Sequence, residues 1–186
     1  MLNRNDLNKD SYTVQDILAL PEGERAELID GVWYNMAAPS TAHQRTAGGL
    51  YRKISDFLEK KGGACEAFIA PFAVFLHDDD KTYLEPDISV ICDKDKIKED
   101  GCHGAPDWVI EVASESTRQR DYLVKLVHYS NAGVREYWIV DPEHKRITAY
   151  HIAEEAMDEH TFEDMIPCGL YEDLIIDFKD ISRLIE

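Results

Sequence analysis

Apolar positions along this chain fall into short alternating runs separated by two helical stripes. Thr13-Val14-Gln15-Asp16 reads as a helix start, with Thr13 as cap and Asp16 in the first turn; Pro21-Glu22-Gly23 ends it. Glu27-Leu28-Ile29 and Val32-Trp33-Tyr34-Asn35-Met36 flank Asp30-Gly31, a strong hairpin signal. The longest helix opens after Pro39, with Thr41 and Gln44 at capping-box spacing. Leu50, Ile54, Phe57 and Leu58 form its apolar stripe, and Gly62-Gly63 stops it.

Cys65 to Leu76 alternates loosely and predicts one or two strands broken near Pro71. Asp78-Asp79-Asp80-Lys81 is a turn, and Asp87 to Cys92 is a strand. Asp93 to Gly104 reads as a polar loop. A strand through Trp108-Val109-Ile110-Glu111-Val112-Ala113 leads into the hydroxyl-rich turn Ser114-Glu115-Ser116-Thr117. An amphipathic helix from Asp121 follows and stops at Asn131-Ala132-Gly133. Val134 to Val140 and Arg146 to His151 form a hairpin around Asp141-Pro142. The tail adds strand-like runs at Thr161 to Ile166 and Leu174 to Phe178, then a short helix over 181–185. No repeat or domain boundary is visible, so the expectation is one domain over 1–186, with the polar residues 1–10 disordered.

Two of these strands each carry an acid among their hydrophobes. Charged groups are seldom buried without partners, so each acid needs a hydrogen-bonding role or a cation. Side chains at i and i+2 share a strand face, so Val109, Glu111 and Ala113 point together, as do Glu85, Asp87 and Ser89. If the two strands are neighbours, Asp87 and Glu111 converge at one end of a sheet. Paired carboxylates repel unless a cation sits between them. Hard divalent ions such as Mg²⁺ suit one or two carboxylates plus water and phosphate. Asp121, Lys125 and Tyr129 recur at i, i+4 and i+8 and form one helical stripe. A lysine there would hold or deprotonate a water, or neutralise charge on a phosphate; the plainer reading is a solvated Asp121–Lys125 pair.

The formal net charge is −17, which argues against avid nonspecific binding of nucleic acid. Local basic patches remain, with Arg45, Arg52 and Lys53 on one helix and Arg118, Arg120 and Lys125 near the acids. No apolar run reaches membrane-spanning length and the start lacks a signal-peptide core, so a cytoplasmic protein without a membrane partner is expected. Cys65, Cys92, Cys102 and Cys168 lack C-x-x-C spacing, which predicts reduced thiols and no disulfide framework. Cys102-His103 lacks a second ligand pair for zinc.

Pro86-Asp87 followed on a later strand by Glu111-Val112-Ala113 resembles the PD-(D/E)XK nuclease motif, with alanine at position 113 where that motif has lysine. The ordered set is Glu27-Leu28-Ile29-Asp30-Gly31, Pro86-Asp87, Glu111-Val112-Ala113-Ser114, Asp121…Lys125…Tyr129 and Gly133 to Pro142. It resembles the Uma-type family of the restriction-endonuclease-like superfamily, from about Tyr12 to about His151. In that family the lysine has moved to the following helix. The resemblance implies an α/β fold of α+β type, with a restriction-endonuclease-like core and a mixed twisted β-sheet flanked by helices. It implies a metal-dependent endonuclease of DNA. Asp87, Glu111 and the Val112 carbonyl would hold Mg²⁺ (or Mn²⁺), and Lys125 and Glu27 would complete the catalytic set. His43, Ser116 and Tyr129 would lie on the substrate side, with Tyr129 packing behind the lysine. For Glu27 a surface salt bridge, and for His43 a capping role, stay open. A nuclease-fold binding protein without turnover is the alternative, and a glycosidase fits the order of motifs less well. A homodimer is the expected assembly.

Overall fold

The computed structural model describes residues 11–186, so the expected disorder of residues 1–10 falls outside it. Helix α1 (Val14–Leu18) starts with the reciprocal Thr13–Asp16 capping box. Strands β1 (Ala26–Ile29) and β2 (Val32–Asn35) pair antiparallel. Asp30 and Gly31 between them have φ of 51° and 76°, the two positive values that a tight primed turn requires. Helix α2 (Thr41–Lys61) is capped by Ser40, one residue before the expected position, because the Ser40 side chain accepts from His43 N at 3.2 Å.

Six strands form the main sheet. In spatial order they are β11 (Ala156–Thr161), β10 (Arg146–His151), β9 (Glu136–Asp141), β8 (Trp108–Val112), β5 (Ile88–Ile91) and β3 (Glu66–Ile69). Only β8 and β9 run parallel, joined by the crossover that carries Lys125; the other neighbours are antiparallel. Strand β11 lies in an acidic stretch that gives no alternating apolar signal. The segment Asp93 to Gly104, expected as loop, instead contains a 3₁₀ turn at Lys94–Lys96 and two short strands, β6 (Ile97–Lys98) and β7 (Gly101–His103). Strand β7 also pairs with β4 (Val74–Phe75). The tail forms a hairpin of β12 (Met165–Cys168) and β13 (Tyr171–Asp177), then α4 (Phe178–Ile185).

The sheet buries both faces. Leu50, Ile54 and Leu58 of α2, with Phe178 and Ile181 of α4, pack on Ile88, Val90, Ile110 and Val140. Trp108 and Trp138 meet edge-on there, with ring centroids 4.8 Å apart. Each such large buried side chain contributes about 1.5–3 kcal/mol relative to exposure. The opposite face sets Val109, Ala113, Tyr137 and Ile139 against Tyr129 of helix α3 (Leu126–Ala132). Glu111 shares the Val109–Ala113 face, as strand alternation predicts, so it emerges toward the lysine-bearing helix rather than toward α2.

The cysteines correct the sequence expectation. Cys65 and Cys92 form a disulfide. Strands β3 and β5 pair Glu66 with Ile91, so the next residues outward, Cys65 and Cys92, face each other; a 27-residue separation gives no such hint in the sequence. The bond removes the cysteine argument for a reducing compartment. Cys102 and Cys168 are free and buried, and burial pushes their thiols up to about 11 and about 12. Among the described residues, no helix is long and apolar enough to cross a membrane.

Candidate active site

The antiparallel register pairs Ile88 with Ile110, which sets Asp87 opposite Glu111 at the end of the sheet. The sequence condition for convergence is met. The Asp87 carboxylate accepts from Val112 N at 2.7 Å through Oδ2, which ties it to the neighbouring strand. His43, in the first turn of α2, sits with Nε2 3.2 Å from the same oxygen. Burial lowers the affinity of His43 for a proton, but the Asp87 carboxylate and the Val112 carbonyl outweigh it, so its pKa is raised.

The chain leaves β8 through Ala113 and the Ser114–Thr117 turn. Ser114 N donates to Thr117 Oγ1 at 3.1 Å, and the Ser114 and Ser116 hydroxyls lie 3.1 Å apart. Ser116 is exposed at the mouth of the cleft, bonded to its neighbour in the turn. The following helix opens with two α-helical residues, 118–119, and then widens. Arg120–Lys125 is a π-helical turn that runs on into α3, whose stop is Gly133 in the left-handed conformation at φ 90°.

This turn places Lys125 where the plainer reading did not. Its ammonium is 3 % exposed and donates to Glu27 Oε1 and Glu111 Oε1, each at 2.8 Å, with Asp121 Oδ1 3.8 Å away. Glu27, on β1, is fully buried rather than part of a surface pair, and its Oε1 also accepts from Glu85 N at 3.2 Å. Tyr129 does not reach the substrate side. It is fully buried, and its hydroxyl donates to Glu111 Oε1 at 2.9 Å, the same oxygen that Lys125 binds, so it helps to orient the glutamate. Asp121 and Arg120 belong to the same cluster, although the sequence argument gave Asp121 no role beyond the stripe and Arg120 none beyond a basic patch. Asp121 is 1 % exposed; Arg120 Nη2 lies 3.6 Å from Glu27 Oε2. The i, i+4 spacing was the signal for Asp121. Nothing in the sequence signals the stacking of Arg120 on Tyr34, whose ring centroid is 4.7 Å from the guanidinium carbon.

The charges do not balance. Glu27, Asp87, Glu111 and Asp121 face two permanent cations, Lys125 and Arg120. Burial, reinforced by Asp121, Glu27 and Asp87, raises Glu111 well above the usual carboxylate range despite Lys125. Burial lifts Asp121 to about 6. Burial alone would lower Lys125, but Glu111, Glu27 and Asp121 win and raise it. The three carboxylates favour the ammonium form of the lysine, which suits the roles of holding a water and neutralising charge on a phosphate. A proton taken up by Glu111 would offset part of the surplus; a divalent ion would offset it fully. Both bonds to Glu111 land on Oε1, and both contacts of Asp87 land on Oδ2. The second oxygen of each carboxylate is thus the one available to a cation, a hard-oxygen donor set that fits Mg²⁺ or Mn²⁺.

These groups open onto a cleft of about 660 Å³ walled by the 36–40 loop, the start of α2 and the Ser114–Thr117 turn. A second cluster of metal-ligand types, Asp141, Glu143 and His144, lies outside these acids. The Arg118 guanidinium fills it, with Nε 2.7 Å from Asp141 and Nη2 2.9 Å from Glu143.

A mixed sheet with an aspartate and a glutamate opposite each other at its end, and a crossover-helix lysine beside the glutamate, fits the restriction-endonuclease-like class. The chain belongs to the Uma2 family, described as "Putative restriction endonuclease", whose model matches residues 14–170. It is similar to a crystal structure titled as a putative nuclease belonging to DUF820 from Anabaena variabilis. The TM-score is 0.76 at 22 % identity, over 94 % of this chain and 99 % of that one, a likeness of fold. No curated protein matches.

Proposed function

We propose that this chain is a metal-dependent endonuclease that hydrolyses phosphodiester bonds of DNA at the Asp87–Glu111–Lys125 centre. The observation that carries the reading is the Lys125 ammonium held 2.8 Å from Glu111 although position 113 is alanine. Asp87, Glu111 and the Val112 carbonyl would hold Mg²⁺ or Mn²⁺, which supplies Lewis-acid charge to a phosphate oxygen when bound. Lys125 holds the attacking water by donating to it, and its fixed charge meets the charge that builds on the phosphate. Glu27 and Asp121 anchor the ammonium, and Tyr129 fixes the Glu111 carboxylate. His43, charged more readily than a free histidine, contacts a phosphate oxygen from the α2 side; Ser116 does so from the opposite lip. Two chains related by a two-fold axis would address both strands of a duplex.

The test is cleavage of plasmid and single-stranded DNA by purified protein with added Mg²⁺ or Mn²⁺. The expected result is nicking that stops with EDTA and falls at least a hundredfold in Lys125→Ala. Cleavage that survives EDTA or the substitution overturns this mechanism. Mn²⁺ binding with no cleavage of any DNA favours the alternative, a nuclease-fold binding protein.

A further inference from the structure

The cations along the cleft are almost all committed to partners. Lys125 is enclosed by three carboxylates. Arg25 binds Glu85 through Nε at 2.7 Å and through Nη2. Arg118 spans Asp141 and Glu143.

Arg120 differs. It lines the cleft, its side chain is 15 % exposed, and among the described residues the carboxylate within ion-pair distance is Glu27, at a long 3.6 Å. Its Nε is buried without a hydrogen-bond partner among the described residues, a costly state for a guanidinium donor. The guanidinium carbon sits over the Tyr34 ring, 4.7 Å from its centroid. Such a contact leaves the edge N–H groups, through which arginine binds phosphate in a planar fork. A stacked arginine is also already ordered, so less side-chain freedom is lost when it takes up a ligand.

We propose that Arg120 is the phosphate clamp of this cleft: held on Tyr34, it binds a nonbridging oxygen of the nucleic-acid backbone beside the Lys125 centre. The proposal rests on the nuclease reading and deepens it, because it states how a chain of net charge −17 grips a polyanion. The grip is local. With Lys125, Arg25 and Arg118 committed, the contact is to one or two phosphates rather than along a basic track. Such binding depends weakly on salt, since each neutralised phosphate adds only about 0.7–0.9 to the slope of log K against log salt.

Fluorescence anisotropy of fluorescein-labelled oligodeoxynucleotides, single-stranded and duplex, measured in Ca²⁺ over a salt series, tests it. Wild type should show a shallow slope. Arg120→Ala should bind about tenfold more weakly and lose about one from the slope. Arg120→Lys should recover part of the affinity, and Tyr34→Leu should fall between wild type and Arg120→Ala. Calorimetric Mn²⁺ affinity of the protein alone should stay within twofold in all variants, and thermal melts establish that each is folded. Unchanged oligonucleotide affinity in Arg120→Ala overturns the clamp and leaves the nuclease reading standing. A parallel loss of Mn²⁺ affinity overturns it too, since Arg120 would then merely support Glu27. Wild-type protein that binds neither Mn²⁺ nor oligonucleotide removes both.

Discussion

Lys125 has exchanged water for carboxylates, and the exchange stays favourable only while hydrogen-bonding carboxylates surround it. Removing one member of a buried ion pair costs about 3–5 kcal/mol, because the other is left uncompensated. Lys125→Met should therefore destabilise the fold by about that amount, measured by urea unfolding. Glu111→Gln in the same background should restore roughly 1 kcal/mol or more, since Glu111 no longer has to discharge against Glu27 and Asp121. A loss below about 1 kcal/mol in the single variant would mean that solvent screens the ammonium from Glu27 and Glu111. Activity of any Lys125 variant must accordingly be read well below its own melting temperature.

The π-helical turn at Arg120–Lys125 is the element on which the site depends. Its wider winding keeps Asp121 and Lys125 on one side while the chain still enters α3 with Tyr129 facing Glu111. Asp121 makes this testable by pH. Burial pushes its folded pKa up to about 6, above the ordinary range of an aspartate, so folding favours the protonated form. The stability it contributes is complete below about pH 4 and is lost as pH rises through about 6. Asp121→Asn should remove that dependence. Relative to the variant, wild type should lose on the order of 2 kcal/mol between pH 4 and pH 7 in denaturant titrations. A constant difference across that range would show that the carboxylate is not desolvated. The strands carrying Asp87 and Glu111, the hairpin at Asp30-Gly31 and the lysine stripe were all legible, because strand alternation and turn chemistry act locally. The π turn was not, since i, i+4 spacing fits either winding. Strand β11 is an exposed edge with no apolar periodicity, and the Cys65–Cys92 bond follows from a strand register that no local pattern records. The fate of Glu27 was equally hidden: its burial depends on Lys125, ninety-eight residues away.

At the scale of the whole molecule the site is a charge deficit built into a stable fold. A ligand that binds only the folded state stabilises it by about 2.7 kcal/mol at one hundred times its Kd. For a chain of this size each kcal/mol raises Tm by about 2–4 °C, so saturating Mn²⁺ should lift the melting temperature of chelator-stripped protein by about 5–10 °C. The rise should weaken at acid pH, because protons compete with the ion for Glu111, whose proton affinity burial raises. Glu111→Gln and Asp87→Asn should each abolish it. Asp141→Asn should leave the metal-induced rise intact, because Arg118 already occupies that second acidic cluster. A shift that survives Glu111→Gln, or that vanishes in Asp141→Asn, would move the metal centre off the end of the sheet. The Lys125 ammonium would then be a structural counter-ion of Glu111 and Glu27 rather than a partner of the metal.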